Sequence, residues 1–247
     1  MPLATPDLPQ TQAAIIEMTN AFRAENRLAA VAPNATLQMA AKAFADYLAR
    51  NNAFAHTADG RQPADRAGAA GYRFCMVAEN IALNQTNRGF ETRELAQRTV
   101  EGWKNSPPHR AAMLQPHVIE IGVGIAKSDD ADPKYLTVQL FGRPESLKYQ
   151  LNIENRSGTL IHYTLGDQHA TIADQTRIRH TSCVPQEISF DVGKVTSKFE
   201  ARDGAVFIIA RGADNALQVS LQGPTASASA STSTASARPV KAVKSQR

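Results

Sequence analysis

Residues 103–124, WKNSPPHRAAMLQPHVIEIGVG, contain the change of hydrophobic period on which the fold turns. Just upstream, Leu95, Thr99, Val100 and Trp103 recur at helical spacing, which predicts a helix over residues 91–105. Pro107 and Pro108 stop that helix, because proline has no amide donor and the residue before a proline avoids helical angles. His109 therefore sits at a break, at the start of a short helix running to Leu114. From Val118 onward Ile121, Val123 and Ile125 predict a strand over 118–126.

Working outward, Ile15, Met18, Phe22 and Leu28 give a first helix over 9–29, ended by Ala32-Pro33-Asn34. Asn34 or Thr36 can cap a second helix over 36–52, with Leu37, Ala40, Ala41, Phe44, Tyr47 and Leu48 on one buried stripe. A turn-rich loop around Gly60 leads to a short helix over 62–70, then a buried strand over 74–82 that contains or leads to Glu79. Residues 84–89 read as a loop. A strand over 135–142 follows the polar turn 128–133. Helices around three antiparallel strands make an α+β fold, an α-β-α sandwich.

Near residue 147 the pattern shifts to short alternating apolar runs with Asp203-Gly204 as a hairpin turn, the signature of a small all-β domain, sandwich or barrel. Residues 225–237 are wholly Ala, Ser and Thr, a composition that cannot bury enough surface to fold. The expected organisation is an α+β domain over 1–146, an all-β domain over 147–223 and a disordered basic tail over 224–247.

The formal charge of +4 belongs to that tail, which carries Arg238, Lys241, Lys244 and Arg247 and no acid. Residues 1–223 balance 23 basic against 23 acidic side chains, so no nucleic-acid partner is drawn from the charge. No run approaches the ~18 apolar residues of a membrane span. The N-terminus lacks the basic start and apolar run of a signal peptide, so the chain is either cytoplasmic or numbered after cleavage. Cys75 and Cys183 fall in different expected domains; they either bridge them, in an exported protein, or remain free thiols.

Three residues able to bind a metal or move a proton stand in distinct short contexts: Phe54-Ala55-His56 before Gly60, Ala78-Glu79-Asn80-Ile81-Ala82, and Trp103 through His109-Arg110 leading into Ile119 to Gly124. In this order these contexts resemble the bacterial form of the CAP superfamily (cysteine-rich secretory proteins, antigen 5 and pathogenesis-related proteins) over roughly residues 10–143. Asn20, Arg23, Asn26 and Leu37 match the way such proteins open. The resemblance implies a CAP-type α-β-α sandwich in which His56, Glu79 and His109 face one central cleft. Their spacing is too wide for a local metal motif, and by itself is weak evidence for a site.

Two histidines and a glutamate suit zinc or another divalent cation, with His56 and His109 as ligands and Glu79 activating water. One departure weakens that set. Eukaryotic members usually carry a second glutamate three residues after the tryptophan, and Ser106 stands there, which leaves the site less negative and a metal less tightly held. Ser106, Asn80 and Arg110 are expected to support the cleft, and Arg66 and Arg110 to pair with acids that brace it. A structural reading stands beside this one: two histidines bonded to a carboxylate would hold three loops together. Trp103 reads as core, Glu101 and Glu120 as exposed charges, and His117, His162, His169 and His180 as surface residues. Ser106 and His109 lack an orienting acid and an oxyanion hole, which argues against serine hydrolysis. The expectation is a secreted or periplasmic binding protein whose cleft takes a small molecule, a lipid or a peptide. Metal-assisted hydrolysis and a working β-domain on a CAP scaffold are the alternatives.

Overall fold

A computed structural model describes residues 4–193 and 195–223, so the 224–247 tail lies outside the described residues. Helix α1 (Leu8–Glu25) is capped by Asp7, whose carboxylate accepts from the Gln10 amide at 2.8 Å, and the chain leaves it at Arg27, which takes a left-handed φ of 59°. After a two-residue strand β1 (Ala32–Pro33), Asn34 caps α2 (Ala35–Arg50) by accepting from the amides of Thr36 and Leu37. Then come α3 (Pro63–Ala69), β2 (Phe74–Gln85), α4 (Thr92–Lys104), α5 (Pro107–Met113), β3 (Glu120–Lys127) and β4 (Lys134–Pro144).

The sheet order is β1-β3-β4-β2, antiparallel except for β1, so β2 is an edge strand. One face packs Ile121, Val123 and Ile125 against Ile15, Phe22, Leu95 and Trp103 of α1 and α4. The other packs Ile81, Leu136, Val138 and Leu140 against Leu37, Ala41 and Phe44 of α2. The glycines of the Ile-Gly-Val-Gly run decide how close α2 lies. A Cβ on Gly122 would come within 2.3 Å of the Gln38 nitrogen, and one on Gly124 within 2.2 Å of the Lys42 nitrogen. Buried Arg23, fully enclosed, donates to the carbonyls of Ala29, Met113 and Gln115, and so ties α1 to the end of α5.

Eight further strands follow: β5 (Tyr149–Arg156), β6 (Ile161–Leu165), β7 (Gln168–Ile172), β8 (Thr176–Ser182), β9 (Gln186–Val192), β10 (Val195–Ala201), β11 (Val206–Arg211) and β12 (Leu217–Gln222). They form two four-stranded sheets, β10-β9-β6-β7 and β12-β11-β5-β8, whose inner residues Ile161, Tyr163, Phe190, Leu151, Ile153 and Phe207 share one core. This is a β-sandwich, separate from the α-β-α core. Cys75 at the start of β2 is disulfide-bonded to Cys183 between β8 and β9, with Cα atoms 5.3 Å apart. Arg143 reinforces the junction by donating to the carbonyls of Cys183 and His117.

Two expectations need correction. Glu120 is half-buried rather than an exposed charge, since Tyr72 Oη–H and Asn34 Nδ2–H both donate to its carboxylate. Burial and that carboxylate together push the Tyr72 pKa up. His180 is not a free surface residue either: its Nε2 bonds the Tyr163 hydroxyl at 2.9 Å, and burial lowers its pKa.

Candidate functional site

Alternation along β2 sends neighbouring side chains to opposite layers. Glu79 shares the face of Val77 and Ile81, toward α2 and α3, while Asn80 shares the face of Ala78 and Ala82, toward α4 and α5. Because β2 is the sheet edge, the loop before α3 and the start of α5 can meet around it. Trp103 closes that edge: its buried indole N–H donates to the Ile81 carbonyl at 3.0 Å.

Glu79 is the centre of the polar cluster. Its side chain is 1% exposed, and its carboxylate is held by a guanidinium fork, with Arg66 Nη2–H 3.0 Å from Oε1 and 2.8 Å from Oε2. His56 Nδ1 bonds the same Oε1 at 2.8 Å. Arg66 is itself 6% exposed and fully committed on its terminal nitrogens: Nη1 donates to Asp59 Oδ1 and the Arg61 carbonyl, and Nη2 also donates to the His56 carbonyl. Its guanidinium lies 3.5 Å from the centroid of the Phe44 ring, a desolvated cation–π contact that fixes its plane.

His109 approaches from the other layer. Its ring centroid is 6.4 Å from that of His56, and its carbonyl accepts from Asn80 Nδ2 at 3.1 Å. Asn80 also donates to Gln139, which in turn donates to the Thr19 hydroxyl, a buried chain that fixes the first turn of α5. Burial first, and then the neighbouring His56, hold the His109 pKa below its ordinary value, which favours the neutral imidazole.

The structure thus brings His56, Glu79 and His109 to one place with Asn80 beneath them. Ser106 and Arg110 lie elsewhere in role. Ser106 is the N-cap residue of α5, and its carbonyl accepts the Arg110 amide at 2.8 Å. Arg110 is exposed, with its guanidinium 5.5 Å from the centroid of Phe22, and pairs with no acid among the described residues. Sequence reading named Arg66 as a brace but missed Asp59 and Phe44, which position it. The turn Asp59-Gly60 ahead of a proline-started helix was the available signal.

The donor set bears on metal binding. Glu79 is already neutralised by a buried arginine, and among the described residues no three His, Cys, Asp or Glu side chains are grouped to hold an ion. The residues do not fit a three-ligand centre with Glu79 as a free base; two imidazole nitrogens are what the site offers a cation.

The family model described as CAP, cysteine-rich secretory protein family, matches residues 16–141. The uncharacterized protein YkwD of Bacillus subtilis is 30% identical over 115 residues, which cover 46% of this chain and 42% of that one. The match therefore spans less than half the length of that curated relative. Among solved structures, an outer surface protein from Borrelia burgdorferi is 24% identical with a TM-score of 0.48, covering 55% of this chain and 93% of that one. An SCP-domain extracellular protein from Bacillus anthracis is 24% identical with a TM-score of 0.46, covering 55% and 41%.

Proposed function

Because the chain belongs to the CAP, or cysteine-rich secretory protein, family, we propose that it is a bacterial extracytoplasmic binding or interaction protein whose His56, Glu79 and His109 cleft takes a small molecule, a lipid or a peptide. The observation that carries the choice of binding over catalysis is the state of Glu79, buried and gripped on both oxygens by Arg66. A general base must be free to take a proton at a reachable atom. A carboxylate forked by a guanidinium is a poor proton acceptor, because the arginine favours its charged form. Here it serves to hold His56 and the loop before α3 in place.

His56, nearly half exposed, and His109 then present two imidazoles at the surface of the cluster, suited to hydrogen-bonding a ligand. A divalent cation would be held by these two nitrogens alone. The Cys75–Cys183 bridge supports an oxidising, extracytoplasmic location. Among the described residues no helix is long and apolar enough to cross a membrane. We read residues 1–146 and 147–223 as two domains joined by that bridge, with the β-sandwich as a second interaction module.

The test is an assay of the full chain against peptide and ester substrates with zinc, manganese or calcium added, beside a His109→Ala variant. The expected result is turnover indistinguishable from the buffer blank for both. Turnover by the wild type that His109→Ala abolishes would establish the metal-assisted hydrolase instead.

A further inference from the structure

On the far side of Arg66 from His109, a groove of about 610 Å³ opens between α2 and α3, within the size range of small-molecule sites. Met39, Ala43, Tyr47 and Arg50 line it from one face of α2. Ala69 and Ala70 line it from α3, and Asp59 and Arg61 from the loop between. Its floor is apolar: Phe44 lies beneath with Tyr47 stacked 6.4 Å away, and Met39 is 59% exposed, an unusual surface for a large apolar side chain.

The rim is basic. Arg50 and Arg61 are exposed, and neither side chain forms an ion pair among the described residues. The acid in the lining, Asp59, is spent on Arg66. Arg66 itself, nearly buried, carries an Nε–H that has no partner. The contrast with the other basic surface is informative, since Arg156 and Arg177 on the outer face of the sandwich share Glu154 between them. The α2–α3 groove is where uncompensated positive charge borders an apolar floor.

We propose that this groove binds a small organic anion, a carboxylate on a compact aromatic or aliphatic body, with the body on Met39, Phe44 and Tyr47 and the carboxylate at Arg50 and Arg61. Arginine suits the task because its planar fork matches a carboxylate, and an anion at the rim would complete charges that now face only water. The groove is separate from the His56, Glu79 and His109 cleft, but it shares a wall with it through Arg66.

The full chain, isotope-labelled, is titrated with 4-phenylbutanoate and with 4-phenylbutanol while amide NMR shifts are followed. The acid should bind saturably, with shifts at Met39, Ala43 and Tyr47. The alcohol should bind at least about tenfold more weakly, as loss of a charged hydrogen bond implies. An Arg50→Ala/Arg61→Ala double variant should show the same loss with an unchanged melting temperature, since both side chains are exposed. Ala43→Trp, which fills the groove, should abolish binding, and His109→Ala should leave it intact. Equal binding of acid and alcohol, full affinity in the arginine double variant, or absence of saturable binding would overturn the proposal. So would an acidic peptide that binds where the free acid does not. Loss of binding in His109→Ala alone would move the ligand to the cleft, and this inference would fall while the cleft reading stood.

Discussion

Replacing Arg66 with Met should destabilise the protein more than any other single change in the polar cluster. The side chain is 6% exposed and makes two bonds to Glu79, one to Asp59, and one each to the carbonyls of Arg61 and His56. Methionine has a similar length and can still pack on Phe44, so the loss is chiefly electrostatic. Glu79, 1% exposed, would keep His56 as its partner but lose the charge that neutralises it. Removing one member of a buried ion pair costs about 3–5 kcal/mol, a large share of a total stability of about 5–15 kcal/mol. The assay is urea unfolding at pH 7, read as a lower midpoint with an unchanged slope. The decisive control is Arg66→Met/Glu79→Met, which removes both charges. It should recover most of the loss, because an apolar pair of similar volume is close to neutral in place of a buried ion pair. A single variant costing under about 1 kcal/mol would mean that the pair behaves as a surface ion pair. A double variant less stable than the single would mean that Glu79 is stabilised by something other than Arg66. Either result refutes the reasoning.

Replacing both Cys75 and Cys183 with Ala should lower stability by about 2–4 kcal/mol, since the bridge closes a loop across 108 residues; an unchanged melting temperature would contradict this. Gly124→Ala should cost about 1–3 kcal/mol of overpacking, because its Cβ meets α2 backbone that cannot step aside; calorimetry checks it. The pKa of His109 is lowered on folding, so the unfolded chain binds more protons at mildly acid pH. Stability should therefore fall as pH drops through about 6.5 toward the lower folded value, and His109→Gln should flatten that slope. His180, also lowered, should leave a residual slope of the same sign.

The helices and the central strands were legible because their apolar residues repeat at 3.6 or at 2, and because Asn34 and the Pro107-Pro108 pair punctuate them locally. The resemblance of three short contexts led to the family. What could not be read was pairing between distant segments. Gly122 and Gly124 look like ordinary strand glycines until α2 is laid on them. Arg66 and Glu79 are 13 residues apart, and only the turn of α3 against the edge of β2 makes them partners. Glu120 seemed solvated because Tyr72 and Asn34, its donors, lie 48 and 86 residues away. In the sandwich, alternation marked the strands but not their order: β11 runs parallel to β5, far earlier in the chain, and nothing local announces it.

The central claim is that Glu79 is a buried, arginine-held carboxylate and that the cluster binds rather than catalyses. It is tested most directly by zinc content per chain, measured on untagged protein purified without added metal and dialysed against micromolar zinc. The expected result is well under one zinc per chain, weakly held, with the Arg66 and Glu79 bonds intact. One tightly bound zinc per chain, lost in both His109→Ala and Glu79→Gln, would contradict it by showing that the carboxylate is free to join two imidazoles around an ion.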